Sequence, residues 1–141
     1  MKTKQLEPHK ALSPAYKKFS PQASEIEMFS ENLKSCIEAI NLVDTKNESE
    51  EHLKSPIKKF LFSTFYKDNE INTKDRIDLA VYLDKDANSD VGIIIEAKKP
   101  SNKSEFPTIT QLNKKGFQEI LLYYLREREL TIKIIILNIS L

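Results

Sequence analysis

The chain is 141 residues long, 40% hydrophobic and 30% charged, with a formal net charge of +1, which suits one domain with one core and no covalent staple. The single Cys36 excludes an internal disulfide framework and fits a reducing cytoplasm. No apolar run follows the N-terminal lysines as a secretory signal would, and none approaches the roughly 20 residues of a membrane span, so a cytoplasmic protein with no membrane partner is expected.

Residues 1–20 hold five lysines against Glu7, a local charge of +4, which leaves −3 for residues 21–141. With Pro8, Pro14 and Pro21, residues 1–23 read as an extended basic arm, either laid along phosphates or simply solvated. Ser24 and Glu27 then form a capping box, and Ile26, Phe29, Leu33, Ile37 and Ile40 recur at helical spacing, predicting a helix over 24–41. A second stripe, Leu53, Ile57, Phe60, Leu61 and Phe65, predicts a helix over about 48–66. Pro56 interrupts it, so either the helix kinks there, the reading slightly favoured, or Ser55 caps a shorter helix with Pro56 in its first turn.

Beyond Lys67-Asp-Asn69 the period changes to two. A short strand over 70–73 precedes one in which Ile77, Leu79, Val81 and Leu83 face one side and Asp78, Ala80 and Tyr82 the other. The polar residues 84–90 make a hairpin connection to an almost wholly apolar strand over 91–97, as expected of a central strand covered on both faces. A loop over 101–110, a helix over 112–129 and an isoleucine-rich strand over 131–139 complete the order. The predicted class is α/β, a mixed sheet with helices packed on it.

Three charges sit on these hydrophobic strands: Asp78, Glu96 and Lys98. Removing a charge from water is costly without a partner or a metal, so these residues point to function. Glu96 and Lys98 are two apart and emerge on one face, and pairing through the 84–90 hairpin lets Asp78 reach the same edge. Two converging carboxylates, with the backbone carbonyl of Ala97 between Glu96 and Lys98 as a third ligand, suit a hard divalent cation such as Mg²⁺, with Mn²⁺ as a substitute. Phosphodiester hydrolysis gives each group a role: Asp78 and Glu96 hold the metal, and Lys98 orients the water or offsets charge growing at phosphorus. The alternative is an ion-paired cluster at a sheet edge. A bare D-x-K also occurs at Asp44-Thr-Lys46, but in a polar connector where no site is expected.

At these residues the chain resembles the PD-(D/E)XK nuclease superfamily, whose acidic residue lies on the second strand and whose (D/E)-x-K lies on the third; here these are Asp78 and Glu96-Ala97-Lys98. It is similar in particular to the N-terminal endonuclease domain of type IIG restriction-modification enzymes, over Ser24-Glu-Ile-Glu27, Ile71-Asn-Thr-Lys74, Arg76-Ile-Asp78-Leu79, Val91 to Pro100 and Leu121 to Glu127, and thus over most of the chain. The resemblance implies a restriction endonuclease-like core of helix, three strands, helix and strand over 24–141 with an additional N-terminal helix. It further implies Mg²⁺-dependent cleavage of double-stranded DNA, and a methyltransferase and specificity region outside this chain. Ile77 replaces the proline that often precedes the acid, Gln118 is followed four residues on by Leu122 rather than tyrosine, and no methyltransferase motif is present.

Superfamily members often add a helix acid, for which Glu51 is the candidate and Glu25 its rival, although either suits a solvated helix start. Gln118 could face the site from the following helix. Lys99, Lys103, Lys114 and Lys115 are candidate phosphate contacts or a solvated face. Cys36, on an apolar stripe, is expected to pack rather than react.

Overall fold

The computed structural model describes residues 6–127, so the strand expected over 131–139 lies outside the described residues. The arm is not uniformly extended. Two single-turn helices, α1 (Pro8–Ala11) and α2 (Pro14–Lys17), each place a proline in the first turn, where its missing N–H is no loss. Helix α3 (Ala23–Thr45) begins before the expected start and runs past the expected end. Its capping acid is Glu25, which accepts from the Gln22 backbone N–H at 2.7 Å, rather than the Ser24/Glu27 pair.

The second helical region is divided. Ser49 opens a 3₁₀ turn (Glu50–Leu53) by accepting from the Glu51 N–H, and α4 (Lys54–Thr64) follows directly with Pro56 in its first turn. The expected kink is therefore absent. A first-turn N–H has no intrahelical partner to lose, so the proline sits there without breaking the ladder. Helix α4 packs on α3 through Phe29, Phe60 and Phe65, whose ring centroids lie 5.7 to 6.2 Å apart.

Strands β1 (Ile71–Lys74), β2 (Ile77–Tyr82) and β3 (Val91–Ile95) form an antiparallel sheet in chain order, with β2 central. The tight turn between β1 and β2 uses Asp75 at φ 51°, a left-handed conformation that aspartate tolerates. Leu79, Val81 and Ile95 pack towards α4 with Leu61 and Ile71, whereas Ala80, Tyr82 and Ile94 pack with Tyr123 of α5 (Lys115–Arg126). Ile77 joins the Tyr123 side, against the strict alternation expected of it, because the β1–β2 ladder shifts register by one residue there. Leu83 is exposed rather than inward. Helix α5 is shorter than expected, and β3 ends at Ile95, so Glu96-Ala97-Lys98 follow the strand rather than complete it.

The result is a mixed α/β arrangement in which the sheet is covered by α4 on one face and α5 on the other. Cys36, Ile40 and Val43 of α3 meet Leu53 and Ala97 in a further cluster, which fixes the end of the 3₁₀ turn against the segment after β3. No helix among the described residues is long and apolar enough to cross a membrane. Leu53, 1% exposed, is the keystone of that cluster. Leu53→Ala should lower unfolding free energy by about 3 kcal/mol in urea denaturation, and a loss within error of zero would show that the cluster does not hold the turn in place.

Candidate functional site

The register of β2 and β3 builds the site. Leu79 pairs with Ile95, Ala80 with Ile94 and Val81 with Ile93, so one further step along the same ladder sets Asp78 opposite Glu96. Directly opposed residues share a face with Cβ atoms about 5 Å apart, so the two carboxylates stand together. Asp78 also closes the ladder: its Oδ2 accepts from the Ala97 backbone N–H at 2.9 Å.

Glu96 and Lys98 are nearly shut off from solvent, their side chains 6% and 8% exposed. The Lys98 ammonium donates to Glu96 Oε1 at 2.5 Å and lies 3.0 Å from Glu119 Oε2, 3.6 Å from Glu105 Oε2 and 3.8 Å from Glu50 Oε2. Burial works against its charge, but the hydrogen bonds to Glu96 and Glu119 prevail and hold it protonated well above the ordinary lysine range. Burial pushes the Glu96 carboxyl up from 4.5 to about 7; the neighbouring Asp78 and Glu119 charges add to the rise, and Lys98 opposes it. The buried Tyr123 hydroxyl is raised by burial first and then by the charges of Glu96, Glu119 and Asp78.

On the other side of Asp78, Lys54 lies 3.3 Å from Oδ1 and 2.6 Å from Glu51 Oε2. Glu51 thus reaches the site only through Lys54. Its neighbour Glu50 is the acid that faces Lys98, and it also accepts from the Lys99 N–H and the Asn102 side chain. Glu25 is spent on the start of α3. Gln118 donates to Asn113 at 2.6 Å, and it is Glu119, one residue on, that enters the site. Both near misses are errors of helical phase, since one residue rotates a side chain by about 100°.

Glu119 had a signal: Gly116, Ile120 and Tyr123 are the buried stripe of α5, and position 119 lies within that i, i+3, i+4, i+7 pattern. Glu105 had none, being in an aperiodic loop. The structure positions it by backbone contact, since Gly116 N–H donates to Glu105 O at 3.2 Å and a Cβ at Gly116 would lie 3.0 Å from that oxygen. Among the candidate phosphate contacts, Lys99 donates to Asn47 and Lys115 pairs with Glu105 at 3.3 Å and Glu119 at 3.9 Å. Lys103 is exposed, and Lys114 stands at the N-cap position of α5 with no side-chain cap hydrogen bond. Asp44 of the second D-x-K anchors the loop, accepting from the Ser101 N–H and hydroxyl.

As a metal centre the arrangement offers hard oxygen donors. Glu96 Oε2 is buried without a hydrogen-bond partner, and an unpartnered carboxylate oxygen of this kind suits a cation, whereas Glu105 Oε2 and Glu119 Oε2 already face the Lys98 ammonium. No group of three or more His, Cys, Asp or Glu residues is placed to hold a metal among the described residues. Of the ligands expected from the sequence, Asp78 has both oxygens engaged, Oδ2 by the Ala97 N–H at 2.9 Å and Oδ1 by Lys54 at 3.3 Å.

The raised Glu96 carboxyl has a stability consequence. The folded state holds this proton more tightly than the unfolded chain, so the group's contribution is fully present below pH 4.5 and is lost as pH rises towards about 7. In EDTA at pH 8, Glu96→Gln should therefore melt higher than the parent chain, by about 4 °C or more, while the two should converge near pH 5. A lower melting temperature for the variant at pH 8 would show that Glu96 is a net stabilising ion-pair partner.

No curated protein matches the chain, and no solved structure does. The family described as "Domain of unknown function (DUF7149)" matches residues 6–140. The chain belongs to that family.

Proposed function

We propose that the chain is a Mg²⁺-dependent DNA endonuclease domain with a restriction endonuclease-like core, of the kind carried by type IIG-like restriction-modification systems. The observation that carries this reading is the cross-strand register that opposes Asp78 to Glu96, with Lys98 buried beside them. The fourth strand of such a core would come from residues 131–139, outside the described residues. Double-stranded DNA is the substrate, and a methyltransferase and specificity region would be supplied from outside this chain.

Asp78, Glu96 and the Ala97 carbonyl would hold the metal, with Mn²⁺ as a substitute for Mg²⁺. When bound, the cation polarises a phosphoryl oxygen and lowers the pKa of a coordinated water. In the reaction, the oxygen of water bonds to phosphorus while the P–O3′ bond breaks. The water's proton passes to solvent and the 3′ oxygen takes one up, leaving 5′-phosphate and 3′-hydroxyl ends. Lys98 is held cationic by its neighbours, so it serves as a donor to the developing negative charge rather than as a base. Asp78 orients the segment after β3 through the Ala97 N–H, and Lys54 offsets its charge until metal arrives.

A second reading, a DNA-binding or assembly module that does not cut, draws on one observation: both Asp78 oxygens already have partners, and Lys98 is enclosed by carboxylates. Plasmid cleavage separates the two. In Mg²⁺ the parent chain should nick or linearise plasmid, with Asp78→Ala and Lys98→Ala each reduced about a hundredfold or more. Equal activity in both variants would sink the site assignment, and DNA binding without cleavage by the parent chain would establish the second reading.

A further inference from the structure

The site is flanked by two surfaces of opposite character. After β3, Glu50, Glu105 and Glu119 crowd around Lys98, and Lys115 is drawn into that group, so the lysines of this flank are already ion-paired. Between α4 and β1, by contrast, runs an open groove of 540 Å³ lined by Lys54, Ser55, Lys58, Lys59, Asn72 and Thr73 among others. Its one acidic side chain among the described residues, Glu51, is held by Lys54 at 2.6 Å, which leaves the exposed Lys58 and Lys59 without an acidic partner among the described residues.

Lys54 and Lys58 are four residues apart on α4, an axial step of about 6 Å, so their stems lie in one row along the groove. On the opposite wall the Asn72 carboxamide oxygen accepts from the Thr73 N–H at 2.9 Å, so the polar group Asn72 has left to offer a ligand is its amide donor. The row has a direction. Its first member, Lys54, touches Asp78 at 3.3 Å, so the groove ends beside the carboxylate pair.

We propose that this groove binds the sugar-phosphate backbone of the DNA strand to be cut, with Lys58 and Lys59 as the phosphate contacts that guide it to Asp78; this rests on the endonuclease reading above. Lysines and neutral donors without a base-reading element give affinity independent of sequence, which fits a domain whose target choice is made elsewhere.

Fluorescence anisotropy with a labelled duplex in Ca²⁺, over a salt series, tests it with the full chain. Lys58→Ala/Lys59→Ala should weaken binding about tenfold at low salt and reduce the slope of log affinity against log salt by about 2. Lys34→Ala/Lys46→Ala removes the same charge from α3 and its C-cap and should bind like the parent chain. Equal loss in both double variants, or none in Lys58→Ala/Lys59→Ala, overturns the groove while leaving cleavage and its dependence on Asp78 intact. No duplex binding and no cleavage by the parent chain overturns the groove and the endonuclease reading together. In the cleavage assay the double variant should raise KM and leave kcat near the parent value, whereas a fall in kcat alone would place these lysines in the chemistry instead.

Discussion

One buried ammonium ties the functional end of this molecule together. Lys98 receives a carboxylate from the segment after β3, one from α5, one from the loop between them and one from the 3₁₀ turn before α4. These four elements are separate in sequence, and neighbouring contacts reinforce the junction: the Lys99 N–H on Glu50, the Gly116 N–H on the Glu105 carbonyl, and Leu53 against Ala97. A charge at this depth is tolerated only because each carboxylate offsets part of its lost hydration, and the carboxylates tolerate one another only because it is there. Removing Lys98 therefore leaves several unpaired carboxylates rather than a neutral gap, whereas a neutral side chain at position 96 still leaves Lys98 three carboxylates.

That balance is incomplete, and the incompleteness is what makes the site chemically interesting. The buried Glu96 Oε2 lacks a hydrogen-bond partner, and Glu96 is driven towards neutrality near pH 7. A fold optimised only for stability would place an amide or an apolar side chain at Glu96. Retaining the acid is the local conflict expected where stability is given up for binding or catalysis.

Much of this was legible in the sequence. The change from helical to two-residue periodicity located all three described strands within a few residues, and the apolar run over 91–95 showed that β3 is covered on both faces. Asp78, Glu96 and Lys98 stood out because they violate that pattern, and the structure brings them together. What could not be read were partners whose position depends on helical phase or loop path: Glu119 in place of Gln118, Glu50 in place of Glu51, and Glu105. The Pro56 region misled because a proline in a first turn and a proline in a kink have the same local sequence, and only the break at Leu53, set by burial of that side chain against α3, decides between them.

The single cysteine offers a view into this edge. Cys36 is buried, with its thiol pushed up by burial, and it packs in one cluster with Leu53 at the end of the 3₁₀ turn and Ala97 between the two charged residues after β3. A reagent can reach that sulfur only when α3, the turn and the strand end part from one another. The rate at which the thiol is modified therefore clocks the local opening of the region that carries Glu50 and Glu96, without any label being introduced.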